Sequence, residues 1–315
     1  MRLSDFLLGV LLGFGLSSCG DGSGAAGSSS AASVSGAVEV ASTGSATPSV
    51  SAAPSASASA LPSAASTAVV TEEACPADMV LAQGLYCPEV EQRCLRHTRE
   101  WDEAQKRAVK GEKSHVSERC LEFANSKCLS KERKPMRFCI DKHEWPNQLG
   151  QKPAFMVTWG YAQAACSKIN KRLCSEAEFT FACEGEEMLP YAYGLVRDEK
   201  RCNIDKPYVQ PRFRLQPYDD CLKSRTCKAH MEELDQREVI GDRPNCNSPF
   251  GAFDINGNVN EWVTMPNTEA PWRSGLKGGW WGPSRSRCRP VVTSHNENYV
   301  GYEVGFRCCR DAGRS

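Results

Sequence analysis

Asp254 and Glu261 bracket the stretch GAFDINGNVNEWV at residues 251–263, and their types and spacing suit one kind of chemistry. A hard cation such as calcium takes carboxylate and carbonyl oxygens, and a tight Gly-Asn turn folds a short segment's own carbonyls around an ion. The stretch is no EF-hand. Counting from Asp254, Gly257 stands fourth and Glu261 eighth, where that loop needs glycine sixth and glutamate twelfth. Hydrogen bonding alone offers another role, in which the two acids cap a turn before Trp262 and the asparagines form Asx turns. Other reactive residues form no catalytic pattern. His143 beside Glu144, and His295 in SHNENY, have no G-x-S-x-G to serve, and the histidines form no H-E-x-x-H.

The elements that must hold such a site belong to a chain with an exported character. Of 17 cysteines all but Cys19 fall between Cys75 and Cys309, with no C-x-x-C pair and no zinc-finger spacing. Sixteen is an even number, and in an oxidising compartment it implies up to eight disulfides. With 38 basic and 38 acidic side chains the chain offers no electrostatic case for nucleic acid. Residues Phe6 to Leu16 form an apolar run too short for a membrane span, read as a secretory signal in which Asp5 offsets Arg2. It ends in Leu16-Ser17-Ser18-Cys19-Gly20, which resembles the lipobox of bacterial lipoproteins. That resemblance implies cleavage before Cys19, lipidation of Cys19 and a membrane-anchored, extracytoplasmic protein, in the periplasm or at the cell surface. Without it, Cys19 is a spare thiol behind an ordinary signal.

Three regions follow. Residues 1–19 are the signal; 20–70, almost entirely Ser, Ala, Gly, Pro and Thr, bury too little apolar surface to offset ordering and form a tether. Flexible-chain scaling gives that tether a reach on the order of 40 Å. Residues 71–315 form one domain. Within it a charged segment at about 95–135, carrying Cys120 and Cys128, reads as a solvated, disulfide-stapled excursion. Val157 to Trp159 suit a short strand, and after Gly160 the apolar residues Ala162, Ala165, Cys166 and Ile169 predict a helix. Ser175 and Glu178 predict a capping box opening a second helix, ended by Gly185.

In order along the chain, DMVLAQG, FCIDKHEWPN, VTWGYAQAACSKINKRLCSEAEFTFACEG, PFGAFDINGNVNEWV, LKGGWW and VGFRC resemble the formylglycine-generating enzyme family, or sulfatase-modifying factor domains, across about 75–311. The resemblance implies an α+β, loop-rich, disulfide-rich fold related to C-type-lectin-like domains. It implies structural calcium bound by the side chains of Asp254 and Glu261 and the carbonyls of Gly257 and Val259, and a second site through Asn203 and Ile204 whose other half falls somewhere in 210–240. It implies disulfides Cys166–Cys308 and Cys183–Cys288. The family's best-known reaction oxidises a substrate cysteine using a copper(I)-binding cysteine pair just after the Gly-Gly step, since soft thiolates suit that ion. Here residues 280–287 contain no cysteine, Trp280 stands where the family has an active-site serine, and Asn260 where its cleft has an aromatic. Copper is therefore not expected.

Two functions remain open: a lipid-anchored pseudoenzyme acting in binding or envelope structure, or an active oxidoreductase modifying a cysteine of an exported protein through an altered thiol site. For the first, Trp280, Trp281 and Asn260 are candidates to line a groove for a peptide or glycan, although tryptophans also serve such a fold as core.

Overall fold

The structure is a computed structural model that describes residues 74–313 except 115, 214 and 215; the signal, Cys19 and the tether lie outside the described residues. Its elements in chain order are β1 (Met79–Tyr86), β2 (Val90–Glu91), β3 (Cys94–His97), α1 (Arg99–Ala108), β4 (Cys120–Phe123), β5 (Lys127–Cys128), β6 (Lys134–Asp141), α2 (Trp159–Lys168), β7 (Arg172–Leu173), α3 (Glu176–Glu184), α4 (Tyr218–Leu222), α5 (Arg225–Leu234), β8 (Asn260–Thr264), β9 (Ser274–Lys277), β10 (Val304–Gly305) and β11 (Cys308–Asp311). The result is α+β, with short elements and long connections.

A four-stranded sheet runs β1-β6-β11-β7, and a three-stranded one β10-β8-β9. In the first, β6 pairs antiparallel with β1 from Met79 opposite Asp141 to Tyr86 opposite Lys134, and β11 covers its other edge. In the second, β8 pairs antiparallel with β9 and parallel with β10. Helices α2 and α3 start where hydroxyls cap them. Ser175 and Glu178 form a reciprocal capping box, and Gly185, at φ 65°, closes α3. The expected strand at 157–159 is absent. Thr158 is instead the N-cap of α2, its side chain accepting from Tyr161 N, so Trp159 opens the helix and Gly160 lies inside it. A capping hydroxyl outweighs the strand propensity of Val157 and Thr158.

Trp159 and Trp262 anchor one apolar cluster with Phe306, and Phe179, Phe181, Ile140 and Val263 anchor a second on the other side of the sheets. Eight disulfides tie these parts: Cys75–Cys139, Cys87–Cys128, Cys94–Cys120, Cys166–Cys308, Cys174–Cys309, Cys183–Cys288, Cys202–Cys246 and Cys221–Cys227. They occupy every cysteine from Cys75 to Cys309. So many disulfides fit an oxidising, extracytoplasmic setting. No helix among the described residues is long and apolar enough to cross a membrane.

The segment at 95–135 is mostly exposed, with only Thr98, Ala104, Cys120 and Phe123 of its described residues buried, but one part of it packs on the domain. Two disulfides staple it, β3 pairs with β4, and Phe123 is buried edge-to-face on Tyr191 at 5.8 Å. Its charge sits on the outside of α1, while β4 packs on the domain.

Candidate functional site

The loop from Asp254 to Glu261 is built by left-handed backbone. Asp254, Gly257 and Asn258 have φ of 53°, 91° and 53°. Gly257 is required by close approach as well, because a Cβ there would lie 2.5 Å from the Asn203 carbonyl oxygen and from Ile204 Cγ2. Asn258 N donates to that same Asn203 oxygen at 2.9 Å. Two segments singled out separately in the sequence thus meet at Gly257.

Around the loop three carboxylates and one guanidinium are sealed from water: Glu144, Asp254, Glu261 and Arg307 are at most 3% exposed. Glu144 is held by Asn258 Nδ2 at 2.7 Å and by Val259 N at 3.0 Å. Glu261 receives both Nε and Nη2 of Arg307 at 2.7 Å, and Arg307 also donates to the Phe253 carbonyl at 2.8 Å. None of the described residues donates a side-chain or main-chain hydrogen bond to the Asp254 carboxylate. Burial, with Glu238 and Glu261 nearby, pushes Asp254 up to about 7 against the pull of Arg307. Burial likewise raises Glu144, with Asp254 and Glu261 adding to the shift, and raises Glu261 in spite of Arg307. With all three acids ionised, one arginine leaves the cluster two charges negative. Among the described residues no three His, Cys, Asp or Glu side chains converge as metal ligands, so a cation here depends on carbonyls as much as on acids.

Beside it, Asn203 Nδ2 donates to the Gln236 carbonyl at 3.1 Å and to Asn258 Oδ1 at 2.9 Å, while Asn203 Oδ1 is buried without a partner. Segment 236–238 is therefore what faces Asn203. It already carries two cationic side chains: Lys206 Nζ lies 2.9 Å from Glu238 Oε1 and Arg243 Nε 2.5 Å from Oε2.

A cleft opens beside the Gly-Gly step. It has two connected parts, of about 200 and 760 Å³, that share Ser117, Trp280 and Ser284. Trp280 and Asn260 line it. Trp281 does not: it is fully buried with Tyr302 and Met231, so its role is core. Trp262 is core too, its Nε1 donating to the Val157 carbonyl at 2.9 Å, and Trp272, 51% exposed, lines neither part. Ser117 brings the 95–135 segment to the cleft, and next to it Glu118 binds Arg287 at 2.9 Å. Cys288, one residue beyond Arg287, is bonded to Cys183, and Cys166 is bonded to Cys308. His295, stacked 3.7 Å from Tyr299, also lines the cleft, whereas His143 stacks on Phe253 at 5.0 Å beside the acid cluster.

Sequence reading missed Glu144 and Arg307. Both stood in the quoted motifs, in HEW and GFRC, and the signal was the requirement that buried acids find a buried donor. It also missed the cleft wall contributed by 95–135.

Fold and site together describe a small, loop-rich α+β domain, held by disulfides and a buried acid cluster, with a cleft next to its Gly-Gly turn. Residues 79–312 match the sulfatase-modifying factor enzyme 1-like domain, and the protein belongs to that family. Similar solved structures include CarF, at 14% identity over 75% of this chain and 98% of that one with a TM-score of 0.45. PvdO from Pseudomonas aeruginosa is 18% identical over 68% of this chain and 77% of its own, with a TM-score of 0.35. Treponema denticola variable protein 1 is 14% identical over 57% and 87%, with a TM-score of 0.38.

Proposed function

We propose that this protein is a lipid-anchored, extracytoplasmic binding module of the sulfatase-modifying factor family, without copper-thiol chemistry, that takes its ligand in the cleft beside Trp280. The observation that carries this reading is the state of the cysteines. A copper(I) site needs at least two thiolates, and all sixteen cysteines from Cys75 to Cys309 are committed to disulfides, Cys288 at the cleft edge included. Intact mass spectrometry of the exported full chain, with and without alkylation under denaturing conditions, tests it. No label on residues 75–309 is the expected result. Label on two of them names a thiol pair and favours the oxidoreductase reading instead.

A structural calcium ion suits the loop. The negative charge the cluster carries when its acids ionise favours a divalent cation; Asp254, Glu261 and the carbonyls of Gly257 and Val259 would hold it. Glu261 gives both oxygens to Arg307, yet each carboxylate oxygen keeps a second lone pair. The ion would supply charge neutralisation and fix the loop. A second ion through Asn203 and Ile204 fits poorly: Lys206 and Arg243 already balance Glu238. Asn203 Oδ1 is the one buried side-chain oxygen there without a partner among the described residues. Calcium takes six to eight oxygens. The melting temperature should fall with chelator and recover with added calcium; indifference to chelator removes the ion. Cys19 is the proposed lipid site, and Cys19→Ala should move the protein from the membrane fraction to the soluble one.

A further inference from the structure

We propose that the cleft beside Trp280 takes an anionic oligosaccharide, one bearing carboxylate or sulfate groups; this rests on reading that cleft as the ligand site. Its charge is one-sided. The described lining residues include six cations and two acids, Glu100 and Glu303, although the chain as a whole is neutral. General attraction of the protein to anions therefore does not account for the cleft.

The cations fall into two kinds. On the floor, Arg119 is fixed 3.2 Å from Asp205, Arg287 is fixed 2.9 Å from Glu118, and Lys277 is fully buried 2.8 Å from Glu176. At the rim, Arg107, Lys113 and Arg285 are exposed and make no ion pair with any described carboxylate. Because these three cations have no carboxylate partner among the described residues, an anionic ligand gains charge complementarity there without displacing an internal partner. Glu303 opposes such a ligand weakly. Its carboxyl is pushed up by burial and accepts from the Tyr299 hydroxyl at 3.0 Å.

Two features favour a sugar over an acidic peptide. Trp280 and Tyr208 meet edge-to-face at 6.3 Å, with Tyr208 52% exposed, and Ser117, Ser284 and Gln210 add hydroxyl and amide groups. Apolar ring faces beside small polar groups suit the alternating C–H and O–H surface of a pyranose. A peptide that bound by adding a strand would instead need an open main-chain edge. At the lining positions Asn260 and Leu276 the main chain is already engaged: Asn260 N donates to the Glu303 carbonyl at 2.7 Å, and Leu276 exchanges both main-chain bonds with Val292.

Binding of the full chain to three probes tests this: a heparin-derived sulfated hexasaccharide, a neutral dextran of equal length and an oligoglutamate. The sulfated probe should bind best and weaken with rising salt. The triple variant Arg107→Ala, Lys113→Ala, Arg285→Ala should lose about tenfold or more, and Trp280→Ala should also weaken it. Dextran binding as tightly as the sulfated probe, but still lost in Trp280→Ala, sinks the anionic assignment and leaves the cleft. Tighter binding of oligoglutamate makes the ligand an acidic peptide. A sulfated probe unaffected by both variants places binding elsewhere and overturns the cleft reading itself, and no binding to any probe overturns the proposal.

Discussion

The acid cluster around Arg307 and the cleft around Trp280 use charge in opposite ways. In the cluster all four side chains are buried, and Glu144, Glu261 and Arg307 are each held by two or more hydrogen bonds, so the geometry of the loop is over-determined. At the cleft rim Arg107, Lys113 and Arg285 are in water and unpaired, so nothing in the fold depends on where they point. Burying charge is costly unless it is paired, whereas exposed charge costs the fold almost nothing. Substitutions should therefore unfold the protein in one region and alter only its binding in the other.

The largest effect belongs to the staple between the two regions. Cys183 Sγ accepts from Asn256 Nδ2 in the loop at 3.3 Å, while its partner Cys288 adjoins Arg287 in the cleft. The bond spans 105 residues, against six for Cys221–Cys227. Because Cys174–Cys309 already joins its flanks, the first closes a loop of only about 30 residues, and loop-closure entropy gives about 4 kcal/mol for it and about 2 kcal/mol for the second. Paired Cys→Ala variants compared by urea unfolding should show that order. Equal losses would mean that neither bridge acts through the unfolded chain.

Next comes Arg307→Ala. It strands Glu144, Asp254 and Glu261 with no cation among them, and breaking a buried pair this way costs about 3–5 kcal/mol. The same measurement should show that calcium recovers part of the loss, because the ion and the arginine neutralise the same acids. A variant as stable as the parent would refute the account of the cluster.

How far all this was legible in the sequence depended on the range of the interactions involved. The capping box at Ser175 and Glu178 and the stop at Gly185 are local, and the residues alone specify them. The loop at 254–261 was legible as a turn with two acids, but its partners were not: Glu144 lies more than a hundred residues away and reaches Asn258 and Val259 only because β6 ends beside β8's loop. Trp280 and Trp281 are neighbours of one residue type, and nothing local distinguishes the ring that lines the cleft from the one that fills the core. Thr158 was misread because strand propensity and N-cap preference point to different structures for the same residue. The wall at Ser117 was hidden for the reason that the 95–135 segment is charged, and charge on the outer face of α1 says nothing of what β4 packs against.

A pH test probes the cluster's border. Burial lowers His143 to about 4, with Arg307 and Lys142 adding to the shift, and its Nδ1 is buried without a partner. A base with a depressed folded-state pKa contributes stability that is present above its unfolded value near 6.5 and lost as pH falls toward 4. His143→Phe keeps the stack on Phe253 and removes the titration. The loss of unfolding free energy between pH 6.5 and 4, read by urea unfolding at each pH, should become shallower by about 1 kcal/mol, discounted because the ring is only half buried. An unchanged slope would assign the acid sensitivity to other groups.

The smallest effect on stability, and the sharpest contrast, is Arg285→Ala. The guanidinium has no carboxylate partner, and what the fold takes from this residue is its carbonyl, which accepts from Arg197 Nη1 at 2.9 Å. Alanine keeps that carbonyl. Stability should change by no more than about 0.5 kcal/mol, while the affinity for a sulfated oligosaccharide drops and Arg285→Glu lowers it further. Arg307 and Arg285 are the same residue type with the same charge, and the difference between them is the number of partners each one has. If Arg285→Ala destabilises the protein as Arg307→Ala does, the rim is part of the fold and its cations are no longer free for a ligand.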